Sequence, residues 1–305
     1  MRVLVVGAGG VGGFFGARLA RAGVAVTFLA RGAHLEAMRR AGLRVRSAAD
    51  GEWVVKVDAV AEVAGRPPAE VVLFCVKSFD TETAAAAIRP AIGPDTAVVS
   101  LQNGVDNEDT LARVLGAGHA VGGVAYVFAG IESPGVIVHH LLGRVVFGEL
   151  DGRPSPRLER LREAFTAAGV PAEVTTEIRR LLWQKYLMIA AQAGMTALAR
   201  APIGVIRAVP ETWRMYRAIV AELAALAQAG GVSLPAGVVD AVVKTAEGLA
   251  PEALSSLHDD LVQGRRLELE ALHGHAVRLG ERLGVPTPMV AAVYAALKPH
   301  AAGRP

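Results

Sequence analysis

Over the first 130 positions, apolar residues fall in short unbroken runs rather than in strict alternation. Arg2–Val6 is a run of valine and leucine that ends on glycines, and helical spacing follows it through Ala22. Val24–Ala30 is a second run, so the chain opens strand–helix–strand with a very short first connection. Val71–Val76, Ala97–Ser100 and Ala120–Val127 repeat the strand pattern, with helical spacing at Thr81–Arg89 and Asn107–Leu115. Strands apolar along their whole length and alternating with helices predict a parallel sheet covered on both faces. Leu43–Val45 and Trp53–Val57 flank Asp50-Gly51 and read as a hairpin excursion.

After Val127 the pattern changes. Val136–His139 and Arg144–Gly148 read as two antiparallel additions, followed by a helix from Pro156 to Ala168 and a short strand near Val174. From Ile178 onward strand signals stop. Helices are expected near 178–199, 211–229, 235–247, 257–283 and 288–297, separated by Gly and Pro. The expected fold is therefore a Rossmann-type, doubly wound α/β domain over residues 1–176 and an all-α domain over 177–305.

Composition supports this division. A chain of 305 residues that is 52% apolar and 20% charged suits two packed domains and excludes a disordered one. Cys75 is the lone cysteine, so nothing calls for an oxidising compartment and a cytoplasmic setting is expected. The longest apolar stretches stop well short of the roughly 20 residues a membrane span needs. Six glycines in Gly7–Gly16, with Arg18 and Arg21, break what would otherwise look like a signal segment. The net charge is +3, and the basic residues are dispersed without aromatic interleaving, which argues against nucleic acid and for a small anionic ligand. Five of those basic residues are lysines, against 27 arginines. An apolar helical domain is compatible with a homodimer.

The first connection reads Gly7-Ala8-Gly9-Gly10-Val11-Gly12, a GxGxxG pattern between a strand and a helix at the start of a βαβ unit. Gly7 permits the tight turn, Gly9 lets backbone approach a pyrophosphate, and Gly12 lets the helix pack close to the strand. The helix N-terminus supplies N–H donors and positive potential to phosphate. At the end of the second strand stands Arg31, with no Asp or Glu among Leu29, Ala30, Gly32 and Ala33. A guanidinium there suits the 2′-phosphate of NADP(H), where NAD would want a carboxylate; the alternative is a solvated loop arginine. Lys77 and Asn103 follow the third and fourth strands, where doubly wound sheets bind ligands. Lys77 either reaches cofactor phosphate or ribose or is solvated. Asn103 either holds the nicotinamide ribose or a catalytic side chain, or with Gly104 forms a plain turn. Cys75, inside an apolar strand, reads as core.

In the helical half, Leu181–Ile189 is strongly apolar and contains Lys185. That lysine either snorkels to solvent or faces a substrate cleft, where desolvation would make it a proton donor near neutral pH. Ser256 and Asp260 are four apart on an expected helix reaching Leu283, and Glu268 is eight further along. They either present a hydroxyl and carboxylates to substrate, or Ser255 or Ser256 caps the helix and the acids are solvated or pair with Arg265 and Arg266. His273 and His275 do not share a helical face, so no metal site is expected there, and His139-His140 reads as strand surface.

Together these residues resemble the ketopantoate reductase (2-dehydropantoate 2-reductase) family over nearly the whole chain. The likeness rests on Gly7–Gly12, Arg31, Val76-Lys77, Gln102-Asn103-Gly104, Trp183-Gln184-Lys185 and Ser255-Ser256 through Asp260 to Glu268. It implies NADPH-dependent reduction of ketopantoate, a small anionic 2-oxo acid, to pantoate in pantothenate and coenzyme A biosynthesis. By the same resemblance Lys185 is the general acid that protonates the carbonyl oxygen. Glu268 engages a substrate hydroxyl and influences that lysine, Asn103 lies near the lysine and nicotinamide, Ser256 and Asp260 lie on the substrate side, and Arg31 and Lys77 face the adenosine phosphate. One departure stands out. Where the family places asparagines four and eight residues after the lysine, this chain has Ile189 and Ala193. That opens two other readings, reduction of a different 2-oxo acid or an imine, and a non-catalytic NADPH-binding regulator.

Overall fold

The computed structural model describes residues 1–304. Its described residues form ten strands in one sheet: β1 (Arg2–Val6), β2 (Ala25–Leu29), β3 (Leu43–Ser47), β4 (Gly51–Val55), β5 (Asp58–Val60), β6 (Ala69–Phe74), β7 (Ile92–Ser100), β8 (Ala120–Ser133), β9 (Val136–Glu149) and β10 (Ala172–Val174). The order is β4-β3-β9-β8-β7-β6-β1-β2-β5, with β10 beside β9. From β5 through β2, β1, β6 and β7 to β8 every pairing is parallel. That is the doubly wound dinucleotide-binding order, and its switch point lies between β1 and β6. Beyond β8 the sheet becomes mixed: β9 runs antiparallel to β8, and the β3–β4 hairpin pairs with it through β3.

Helices α1 (Gly10–Arg21), α2 (Gly32–Ala41), α3 (Thr81–Ala87), α4 (Asn107–Leu115) and α5 (Pro156–Ala167) accompany the sheet. Alternation along β1 shows how both faces are covered. Val3 and Val5 enter one buried cluster with Phe14 and Phe15 of α1 and Phe165 of α5, while Leu4 and Val6 enter another with Ala85 of α3 and Leu111 of α4.

By its contacts the chain resolves into two compact units: Met1–Gln102 with Asn107–Ile178, and Asn103–Asp106 with Arg179 onward. Four residues after β7 thus belong to the helical unit. That unit is built from α6 (Ile178–Ala199), α7 (Ile203–Ala208), α8 (Pro210–Ala229), α9 (Val238–Glu247), α10 (Ser256–Val262), α11 (His275–Leu283) and α12 (Pro288–Leu297). Tyr186, Tyr216, Ile219 and Leu223 are fully buried in its core, and the Tyr186 hydroxyl donates to the Leu272 carbonyl at 2.8 Å. No helix of the described residues is long and apolar enough to cross a membrane.

Three expectations need correction. The two antiparallel additions after Val127 are one strand, β9, because pairing with β8 continues through Leu142 (φ 66°) and Gly143 (φ 127°) by slipping register. His139 is buried rather than surface: its ring stacks on Phe14 at 4.1 Å and lies 2.9 Å from Ser47 Oγ, while His140 is exposed. The expected helix 257–283 is broken. It leaves helical geometry after Val262 at Gly264 (φ 67°), the Leu267 amide donates to the Ala301 carbonyl at 3.0 Å, and a π turn over Glu270–Gly274 leads into α11.

Candidate active site

The glycines after β1 answer to different constraints. Gly7 takes φ 93°, and a Cβ there would meet Val76 N at 2.8 Å and Cys75 C at 2.9 Å. A Cβ on Gly12 would meet Val5 Cγ1 at 2.9 Å and Cys75 Cβ at 3.0 Å, and one on Gly10 would collide with the Ala129 carbonyl. Ala8 is buried and Val11 packs on the core. Only Gly9 is different: beyond its two chain neighbours, no described residue places an atom within 4 Å of its ideal Cβ, although it is the residue that caps α1. Among the described residues α1 has neither a side-chain cap nor an acid in its first turn. Open space over uncapped N–H groups at a helix N-terminus fits a pyrophosphate.

Arg31, two residues past the end of β2, is the extended residue that precedes α2, with its side chain 89% exposed and Nη2 donating to Asp80 Oδ2 at 2.8 Å. Such an exposed pair is worth little, so a phosphate can replace the carboxylate as partner at low cost. Lys77 lies past the end of β6 and opens the short turn Ser78–Asp80, beyond the switch point. Two supports here arise only from the fold. Gln102 Nε2 donates to the Val76 carbonyl at 3.0 Å and to Thr81 Oγ1 at 2.8 Å, tying the end of β7 to the turn after β6. The Gly135 amide donates to His34 Nδ1 at 3.0 Å, joining the β8–β9 turn to α2. Burial pushes the Cys75 thiol pKa up, which disfavours the nucleophilic thiolate.

In the helical unit Lys185 Nζ donates to Asn103 Oδ1 at 3.1 Å, with both residues half-buried. The Asn103–Asp106 segment turns at Gly104 (φ 113°), packs Val105 on the helical core, and places Asp106 Oδ2 3.2 Å from His275 Nδ1. Ser255 is the cap of α10: its Oγ accepts from the His258 amide at 3.1 Å and lies 2.7 Å from Thr196 Oγ1. Ser256 is exposed at the first helical position. Asp260, 5% exposed, accepts from Arg265 Nε at 2.6 Å, which is the ion-pair alternative weighed above. Glu268 is buried at 6% exposure, but it precedes the π turn and is off the α10 line, so the helical alignment expected for it fails.

Ile189 and Ala193 both pack into the helical core. Near them Gln192 is 8% exposed, and its Oε1 has no partner among the described residues. It lies seven residues from Lys185, two turns along the same face of α6. Apart from Tyr186, Gln192 and Thr196 are the polar residues of α6 beyond Lys185, a signal the sequence offered. His273 points inward, with Nε2 3.0 Å from the Ala190 carbonyl, and burial lowers its pKa to about 4.

A Rossmann unit with an open phosphate cradle, in one chain with a helical unit that seats a lysine against an asparagine, marks a dinucleotide-dependent oxidoreductase. Comparison with known proteins makes the class specific. Residues 3–152 match the family "Ketopantoate reductase PanE/ApbA" and residues 177–301 its C-terminal domain, so the chain belongs to the ketopantoate reductase family, oxidoreductases acting on a CH–OH group. The 2-dehydropantoate 2-reductase of Archaeoglobus fulgidus is 35% identical over 93% of this chain and 92% of its own. The crystal structure of a PanE/ApbA family ketopantoate reductase from Ralstonia eutropha JMP134 is 36% identical, with a TM-score of 0.91 over 99% of this chain and 98% of that one. D-mandelate dehydrogenase, solved with NADH and anilino(oxo)acetate, shares the fold at 21% identity and a TM-score of 0.90, over 99% and 98% of the two chains.

Proposed function

We propose that this protein is an NADPH-dependent 2-dehydropantoate 2-reductase with Lys185 as its proton donor. The observation that carries the reading is the 3.1 Å contact from Lys185 Nζ to Asn103 Oδ1. When bound, the dinucleotide supplies a hydride from its nicotinamide C4. Gly9 and the amides opening α1 would cradle its pyrophosphate, and Arg31 and Lys77 would hold its adenosine phosphate. Lys185 delivers the proton to the oxygen of the 2-oxo group as that oxygen gains charge. Asn103 fixes the ammonium by accepting one of its three donors, so the proton is delivered from a defined direction. Glu268 is the buried carboxylate that takes a substrate hydroxyl, and Ser256 and Asp260 frame the substrate side.

Turnover is read as NADPH oxidation with ketopantoate. Lys185→Ala should lower kcat by about 10²–10⁴ while NADPH titration stays within twofold, and normal turnover in that variant removes the role. Arg31→Ala should weaken NADPH by about tenfold or more and NADH little, and equal weakening of both argues against the 2′-phosphate assignment.

A second reading, another short 2-oxo acid, is favoured by one observation. Ile189 and Ala193 offer no polar group, while the acceptor Gln192 Oε1 stands unpaired on the lysine's face. A panel of 2-oxo acids ranked by kcat/KM separates the two, because a ligand rejected for a missing hydrogen bond loses orders of magnitude.

A further inference from the structure

Asn103–Asp106 is a graft: four residues whose contacts belong to the helical unit although the chain on both sides belongs to the Rossmann unit. Three side chains hold it. Asn103 Oδ1 accepts from Lys185 Nζ, Val105 packs on the helical core, and Asp106 Oδ2 lies 3.2 Å from His275 Nδ1. Between the first two stands Gly104 at φ 113°, whose freedom adds no stiffness of its own. Among these contacts the imidazole–carboxylate pair is the polar one that does not involve the proton donor itself. Both partners are largely covered, with side chains 19% and 35% exposed, so water screens their contact less than it screens a surface pair. His275 also directly follows the π turn Glu270–Gly274, an interruption of helical geometry common at functional sites.

We infer that His275 is a positioning residue: by holding Asp106 it fixes the Asn103–Asp106 segment on the helical unit and thereby sets the Asn103 carboxamide against Lys185. The inference rests on the reading of Lys185 as proton donor, and it adds a residue that touches neither substrate nor cofactor. Its effect belongs in kcat. Loosening the segment lets the asparagine leave the ammonium, while the cradle at Gly7–Gly12 lies in the other unit and is untouched.

The experiment uses the full-length enzyme, His275→Ala, Asp106→Ala, their double variant and His275→Asn, whose side-chain amide can stand in for Nδ1–H. His275→Ala should lower kcat about tenfold with NADPH KM unchanged within twofold. Asp106→Ala should match it, the double variant should be no worse than either single one, and His275→Asn should recover most of the rate. Unchanged kcat in His275→Ala, additive losses, or an asparagine variant as slow as alanine each overturns the assignment. A readout free of turnover runs beside it. Amide exchange in the peptide covering 103–106 should quicken about tenfold in His275→Ala while the α6 peptides keep their protection. Unchanged exchange overturns the assignment whatever the substrate proves to be, and so does exchange that quickens over the whole helical unit, which marks general unfolding. Lys185→Ala with full activity would instead bring down the proposed function and leave this exchange result standing.

Discussion

Gly9 and Gly12 lie three residues apart, yet substitution at each should report on a different property. A Cβ on Gly12 is driven against Val5, Cys75 and the Gly7 carbonyl, so α1 must shift away from β1. Gly12→Ala should therefore destabilise the protein by about 1–3 kcal/mol, as overpacking of a rigid contact does, and dinucleotide binding should fall with it. A Cβ on Gly9 meets nothing among the described residues beyond its chain neighbours. Gly9→Ala should melt within about 1 °C of wild type, a shift of under about 1 kcal/mol, yet lose dinucleotide affinity, because the methyl occupies the space left for phosphate. Thermal melts paired with NADPH titrations test both variants. A Gly9→Ala protein that binds normally would show that the pyrophosphate lies elsewhere.

At the scale of elements, periodic helices are legible from residue order alone: α4, α6 and α12 fall on Asn107–Leu115, Ile178–Ala199 and Pro288–Leu297 as the spacing predicts. What escaped was decided by tertiary contacts. Among the ten residues of α2, Leu35, Ala37 and Met38 are the buried ones, so its sequence shows no apolar run, and β5 is three residues long. The break after α10 depends on an amide reaching Ala301 from far along the chain, which local spacing does not encode. The site divides the same way. The glycine cradle carries a local signature, whereas Lys185 and Asn103, 82 residues apart, could be joined in advance only through family resemblance. Gln192 and the Asp106–His275 pair are single polar residues with no motif around them, and Gln102, though it stands beside Asn103 in the family likeness, has bonds to Val76 and Thr81 that only the fold brings within reach. The serine pair at α10 shows that neighbouring residues can have separate roles. Ser255 caps the helix and touches Thr196, so Ser255→Ala should cost about 1–2 kcal/mol in denaturant unfolding. Ser256→Ala, at an exposed position, should leave stability unchanged and raise substrate KM. Equal destabilisation by the two would contradict the capping assignment.

Across the whole molecule, both units hold imidazoles whose charged form burial disfavours. Burial lowers the pKa of His34 and His139 in the Rossmann unit, and it lowers that of His273 in the helical unit to about 4, against 6.5 in an exposed chain. A histidine with a depressed folded pKa binds its proton more readily when unfolded. Its contribution is therefore complete above pH 6.5 and is lost as the pH falls from there toward 4. Glu270 acts in a lower window. Burial pushes its carboxyl up, but Lys298, Arg278 and Tyr294 outweigh that and hold it at about 2, so its contribution is present above 4.5 and lost below it. The melting temperature should thus be highest at neutral pH and above, decline from pH 6.5 to 4 through the histidines, and fall further between 4.5 and 2, where the unfolded chain binds the Glu270 proton that the folded protein still refuses. His273→Gln removes a titrating group without removing a polar side chain from its place beside the Ala190 carbonyl. It should melt lower than wild type at pH 7.5 but with a shallower slope between pH 6.5 and 4, by up to about 3 kcal/mol integrated over that range. A parallel pH profile in this variant would show that His273 is not a source of acid lability, leaving the imidazoles of the Rossmann unit to account for it.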